Sequence, residues 1–216
     1  MTYNLIGVGN NAKTVKGDGS EYVTAIMYMR PYKTTFKGKV HNLCAMADKA
    51  GCFEGCLNTA GRGQMGVVQK GRYRKTMLYL SDRIGFMDAL INDLTVFSRR
   101  QRKHGIQPCA RLDGTSDTGM GAKIATQFPE IQFYDYTKVI KRAYQDRPSN
   151  YHITLSYSEA DPDYAEQVLQ AVRDTGVNAA VVFRDKLPET FKGLPVVDGD
   201  KDDLRFLDPK GVIVGL

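Results

Sequence analysis

From about Val40 onward, short β-branched runs alternate with segments of helical periodicity, and no other feature of the chain narrows its fold as far. Such alternation marks an α/β architecture with parallel strands. Strands are expected around residues 39–43, 106–112, 131–136, 151–157, 178–183, 194–197 and 211–214. A helix is predicted over 82–103, where Ile84, Met87, Leu90, Ile91, Leu94 and Phe97 recur at helical spacing. A second is predicted over 161–174, with Pro162 near its start and Gly176 past its end.

A doubly wound sheet and a β/α barrel both fit this alternation. A complete eight-fold barrel needs roughly 250 residues, more than the 216 available here. The polar strand ends favour a partial (β/α) barrel of about six units, because a barrel gathers such ends at its carboxyl face. These ends are Arg111-Leu-Asp-Gly-Thr-Ser-Asp117, Tyr134-Asp-Tyr-Thr-Lys138, Ser156-Tyr-Ser-Glu159, Phe183-Arg-Asp185 and Asp198-Gly-Asp-Lys-Asp-Asp203. Residues 1–40 read as a small antiparallel β-rich appendage, with turn signals such as Gly17-Asp-Gly-Ser20, leaving 41–216 as the barrel domain.

With 42% hydrophobic and 25% charged residues, the composition is that of a soluble globular protein. No run approaches the roughly 18 apolar residues of a membrane span, and the opening MTYNLIGVGN has neither a basic n-region nor an apolar h-region. A cytoplasmic setting follows as the expectation, and there the four cysteines point to metal or redox chemistry before disulfides.

Three of those cysteines, Cys44, Cys52 and Cys56, form a C-x7-C-x3-C motif after the first expected barrel strand, with His41 just before it. If Cys52 and Cys56 lie on a helix, their i,i+4 spacing sets both sulfurs on one face. Zinc sites favour pairs of closely spaced cysteines, and only one such pair is present, so an iron–sulfur cluster ranks above zinc. Cys109 lies on the strand that carries Arg111 and Asp113, and a period of two puts all three on one face. As a fourth ligand Cys109 closes a [4Fe–4S] cluster; as a core residue it leaves one iron open.

The strand ends supply the remaining candidates. Arg111 and Arg184 suit a small anionic ligand, and Asp113, Asp135, Ser156, Ser158 and Asp198 suit hydrogen bonding or proton transfer. Asp135 is expected to face the barrel interior with Thr137 beside it, leaving Tyr134 and Tyr136 outside. His152 reads as a packed histidine and His104 as a helix end. The run Asp198, Asp200, Asp202, Asp203 lacks the length and terminal Glu of an EF-hand loop. Gly7-Val-Gly-Asn-Asn-Ala12 and Gly61-Arg-Gly-Gln-Met-Gly66 match a dinucleotide fingerprint as strings but lack its strand-turn-helix context. The stretch from Thr59 to Gly63 serves better to end a cysteine-bearing helix, with Arg62 adding charge.

Charge is unevenly spread. Residues 1–108 hold 17 Lys+Arg against 7 Asp+Glu, and residues 109–216 hold 13 against 17. The basic half admits a nucleic-acid reading in which a structural zinc stiffens the fold and Arg72, Arg74, Lys75 and the Arg99, Arg100, Arg102, Lys103 cluster contact phosphates. The absence of tryptophan and of a strand interleaving aromatic with basic residues argues against base stacking there, although 12 tyrosines are present.

The set Leu57-Asn-Thr-Ala-Gly-Arg-Gly63, Arg111-Leu-Asp-Gly-Thr-Ser-Asp117, Phe133-Tyr-Asp-Tyr-Thr-Lys138, Leu187-Pro-Glu-Thr190 and Asp208-Pro-Lys-Gly211 resembles a bacteriophage family designated by a gene-product number. That resemblance implies a viral protein in the host cytoplasm. More distantly, the arrangement is similar to the partial barrel of radical S-adenosylmethionine (SAM) enzymes, whose cluster cysteines follow the first strand as C-x3-C-x2-C. Only Cys52 and Cys56 reproduce part of that spacing. The leading expectation is therefore an iron–sulfur protein on a partial barrel, ahead of a radical SAM-like enzyme and of a zinc-stabilised nucleic-acid module.

Overall fold

A computed structural model describes residues 4–9, 21–52, 56 and 58–216. Its main sheet has nine strands: β1 (Ile6–Val8), β2 (Tyr22–Met27), β5 (Gln107–Arg111), β6 (Gln132–Thr137), β7 (Tyr151–Ser156), β8 (Asn178–Val181), β9 (Thr190–Phe191), β10 (Leu194–Asp198) and β11 (Ile213–Gly215). The remaining pair, β3 (Thr34–Phe36) and β4 (Lys39–His41), forms a separate hairpin. Strand order in the sheet is β1-β2-β5-β6-β7-β8-β11-β10-β9. Every ladder from β2 to β10 is parallel, and the two edge strands pair antiparallel. The fold is thus mixed α/β around a mostly parallel sheet.

Among the described residues there are four α-helices, α1 (Gly66–Ser81), α2 (Arg83–Lys103), α3 (Met120–Ile124) and α4 (Pro162–Thr175). α4 starts where Asp161 accepts the Tyr164 N–H at 2.9 Å, and it stops at Gly176, whose φ of +70° suits a left-handed cap. α2 starts in the same way at Asp82, which accepts from Gly85 N–H at 2.8 Å. One apolar core joins these helices to one face of the sheet. Phe86, Leu90, Leu94 and Phe97 of α2 and Tyr164, Val168, Leu169 and Val172 of α4 pack with Ala110, Leu112, Phe133, Ile153, Leu155, Ala179 and Ile213. None of these helices is long and apolar enough to cross a membrane.

Residues at the alternate strand positions, Thr24, Cys109, Arg111, Tyr134, Tyr136 and Thr154, face the other way. That second face is covered by the connection from β10 to β11. Phe206 in this connection sets its ring edge-on to Tyr22 at 5.6 Å and to Tyr134 at 5.4 Å, and Asp203 pairs with Arg111.

Three expectations are corrected. The segment expected as an N-terminal appendage supplies β1 and β2 to the main sheet, and β2 is paired with β5 from Tyr22 to Ile26. Thr24, Ala25, Ile26 and Met27 are all buried, the double-sided burial of an interior parallel strand. The expected barrel strand at 39–43 is instead the short β4, which pairs only with β3 because exposed Lys39 and Val40 give it no apolar face. α1 was not foreseen, since its buried side chains include Arg72 and Thr76 and its apolar residues form no single stripe.

Along α2 the apolar stripe is shifted: Ile84 is 77% exposed, whereas Phe86 is fully buried, its ring edge-on to Tyr79 at 5.1 Å. Phe86→Ala is therefore expected to cost about 3–5 kcal/mol in urea unfolding, and Ile84→Ala under about 0.5 kcal/mol. Equal losses at the two positions would contradict this packing.

Candidate functional site

The carboxyl ends of β5, β6 and β7 carry a loop held by two aspartates. Asp113 ends its strand in a turn: its carboxylate accepts from Ser116 Oγ at 2.6 Å, Thr118 N–H and Oγ1 at 2.9 Å, Gly119 N–H at 2.7 Å and Met120 N–H at 3.3 Å. Five donors on one carboxylate make Asp113 the organiser of the turn into α3. It does not share a face with Arg111 and Cys109, because the strand ends at Arg111 and the chain turns before Asp113.

Asp117 fastens this turn to its neighbours. Its N–H donates to Leu43 O at 2.7 Å, its carboxylate accepts from Thr137 Oγ1 and Lys138 N–H at 2.8 Å, and Arg142 pairs with it. From the next strand end, Ser158 Oγ donates to Ala50 O at 2.6 Å. These bonds clamp the segment from Leu43 to Gly51, which bears Cys44 and leads into Cys52, onto the strand ends.

Just after that segment the Cys52 thiol donates to Ala47 O at 3.7 Å, with the Cys44 thiol as an electrostatic neighbour. The neighbouring Cys44 draws the Cys52 thiol down to about 6 against the effect of burial, with Lys138 helping, while Cys44 itself is pushed up. Cys56 sits apart from this pair. Its sulfur accepts from Asn58 N–H at 3.4 Å, and Asn58 in turn receives Arg72 Nη1 at 2.7 Å on its side chain and 3.0 Å on its carbonyl. Cys52 and Cys56 are in no helix themselves, and the intervening residues 53–55 lie outside the described residues, as does residue 57. Among the described residues no group of three or more His, Cys, Asp or Glu is arranged to hold a metal.

Cys109 is elsewhere. It is the third residue of β5, fully buried, and its charge neighbours are Tyr22 and Tyr134. Those of Cys44 and Cys52 are Asp117 and Lys138. His41, in β4, faces Phe36 with ring centroids 6.3 Å apart. Burial holds His152 neutral, down to about 4, beside Thr154.

The remaining candidates are scattered. Arg111 is buried and committed to Asp203, which also accepts from Tyr136 Oη at 3.2 Å, so it has no charge free for an external anion. Arg184 is exposed. Ser156 ends β7, where its carbonyl accepts from Tyr164 Oη at 2.8 Å. Asp198 is exposed and caps a turn by accepting from Asp200 N–H at 2.9 Å. Asp202 holds Leu204 N–H at 2.8 Å and pairs with Arg205, so the acidic run is divided among turns and ion pairs.

The facing of β6 is the reverse of that expected: Tyr134 and Tyr136 share the Arg111 face, with Arg111 above their rings at 5.6 and 4.9 Å. Asp135 and Thr137 lie on the helix-covered face with Phe133. Asp135 Oδ1 accepts from Asp113 N–H at 2.9 Å, while Oδ2 is buried without a partner beside Gly121 and the Tyr151 ring. With Phe133 packed in the apolar core, the period of two turns Tyr134 and Tyr136 to the opposite face, where Arg111 and Asp203 lie. Sequence reasoning also passed over Asp117, Lys138 and Arg142 as site residues, although Asp117 and Lys138 close two of the polar strand ends.

Compared with known protein families, residues 4–216 match the family described as Gene product 88. The chain belongs to the Gene product 88 family, a bacteriophage gene-product family. No match is found among curated proteins or solved structures. The family match takes in β1, β2 and the cysteine segment together with the rest of the sheet, so the Gene product 88 unit includes the whole site.

In this Gene product 88 protein, burial and the neighbouring Asp113 charge hold the Asp135 carboxyl well above its usual range. The folded state keeps a proton that the unfolded chain releases above about pH 4, so stability falls as pH rises from there toward the folded-state value. Asp135→Asn, neutral throughout, is expected to be more stable than the parent at pH 8, with the gap narrowing at pH 5. Urea unfolding at the two pH values checks this; a gap that widens at low pH would contradict a protonated Asp135.

Proposed function

We propose that this phage protein binds a [4Fe–4S] cluster in the host cytoplasm, with Cys44, Cys52 and Cys56 as ligands and Cys109 left out. The observation that carries this reading is the clamping of the segment that bears Cys44 and leads into Cys52 onto the carboxyl ends of parallel strands, which makes the two thiols electrostatic neighbours. Metals are ligated by thiolates, and a Cys52 thiol lowered to about 6 is largely in that form at neutral pH. Cys56 lies four residues further on, close to the Arg72 guanidinium, and Lys138 lies close to the other two; both cations would offset the negative charge of a thiolate-bound cluster.

The motif falls between β2 and β5, the first and second strands of the parallel set. The parallel set runs β2-β5-β6-β7-β8-β11-β10, and its order follows the chain as far as β8, as in a partial β/α barrel. This supports the barrel reading with β2, not the 39–43 segment, as its first strand. The second face would then be the barrel interior, floored by Arg111, Asp203 and Tyr136 and closed by Phe206.

A cluster bound by three cysteines supplies one-electron chemistry and one iron free to take a further ligand. The position of Cys109 beside Tyr22 and Tyr134 favours that open form over a closed electron-transfer cluster. It also gives the radical SAM-like enzyme reading a specific support, which the closed cluster would remove.

Anaerobic reconstitution with iron and sulfide, followed by metal analysis, tests the proposal. Cys44→Ala, Cys52→Ala and Cys56→Ala are each expected to lose most of the bound iron, whereas Cys109→Ala retains it. Near-stoichiometric zinc in anaerobically purified protein, or loss of iron on Cys109→Ala in a variant that still folds, would overturn this assignment.

A further inference from the structure

We propose that the solvent-facing side of α1 binds a single-stranded nucleic acid through its phosphates, with Tyr73 as a stacking surface. Residues 55–81 hold five cations, Arg62, Lys70, Arg72, Arg74 and Lys75, and no acidic residue. Folding divides these cations. Arg72 is buried against Asn58, and Lys75 turns inward to donate to Leu5 O at 2.6 Å, so neither is free to meet phosphate as the sequence suggested.

The exposed face keeps the others and gains one. Lys70 and Arg74 are both exposed and, four residues apart, stand about 6 Å apart along the helix axis on one side. Tyr73, 43% exposed, lies next to them on the same arc. Arg30 joins from the chain after β2: its N–H donates to Thr76 Oγ1 at 2.8 Å, and its guanidinium stands 5.9 Å from the Tyr73 ring centre. Exposed Arg62 is brought to the start of the helix by Gln69, whose Nε2 donates to Gly63 O at 2.7 Å and to Asn58 O at 2.6 Å.

Three exposed cations, Arg30, Lys70 and Arg74, and the half-exposed Tyr73 ring therefore share one face of α1, with a fourth exposed cation, Arg62, just before its start. A polyanion is the complementary partner, and a ring flanked by cations suits an unpaired base, which stacks independently of sequence. A membrane surface would require a broad apolar side on the helix. Here the large apolar residues exposed near the helix start are Met65 and Val67, both at one end of the face.

The test uses the full chain and a fluorescently labelled thirty-nucleotide single strand, followed by anisotropy. With about four phosphates neutralised, affinity is expected to weaken on the order of fifty-fold between about 50 and 200 mM salt. Lys70→Glu with Arg74→Glu is expected to weaken binding at least about ten-fold, Tyr73→Ala to weaken it more than Tyr73→Phe, and Lys70→Arg with Arg74→Lys to preserve it. Circular dichroism confirms that each variant folds. Arg99→Glu with Arg100→Glu, at the far end of α2, removes the same charge from another exposed site and is expected to retain binding. An equal loss in that control, binding insensitive to salt, no binding at low salt, or preference for phosphatidylserine vesicles over the strand would each overturn the proposal.

Discussion

The site depends on the Asp117 carboxylate. Lying at the end of the turn after β5, it accepts from Thr137 and Lys138 at the end of β6 and pairs with Arg142, while its own N–H holds Leu43. One residue therefore joins two strand ends to the segment bearing Cys44 and Cys52. A buried carboxylate is tolerable only when such partners satisfy it, and removing one partner of a buried ion pair typically costs about 3–5 kcal/mol. The arrangement accordingly fastens the backbone beside Cys44 to the strand ends.

The sheet divides the molecule by chemistry. Its helix-covered face is closed by apolar side chains, with Asp135 and Thr137 as polar intrusions and burial pushing the Asp135 carboxyl well above its usual range. Its second face is polar, with Arg111, Asp203, Tyr134 and Tyr136 in mutual contact beneath the connection from β10 to β11. Satisfying Arg111 internally removes it from ligand binding and makes it a structural cation. Exposed positive charge lies instead on the outer side of α1 and at the far end of α2.

Where local pattern determined the outcome, the sequence was readable. Strands β5 to β8, β10 and β11 and helices α2 and α4 fall within a few residues of their expected positions, because each carries its own periodicity and its own caps. Interactions between distant residues were not readable. Asp203 is 92 positions from Arg111, and nothing local marks the two as partners, yet their pair lies on the same face as Tyr134 and Tyr136 of β6. The same holds for β2, whose burial comes from its neighbours, and for α1, which buries an arginine against Asn58 where an apolar stripe would be expected. The cysteine motif was visible at once, but the separation of Cys109 from it depended on the strand's position in the sheet.

The central claim is a cluster held by three cysteines with one iron left open. Mössbauer spectroscopy of protein reconstituted anaerobically with isotopically enriched iron tests it most directly. The account predicts a [4Fe–4S] signal in which one iron site changes its parameters when a small ligand such as cyanide is added, while the others do not. A spectrum with no cluster signal, or one in which every iron is indifferent to added ligand, would contradict it.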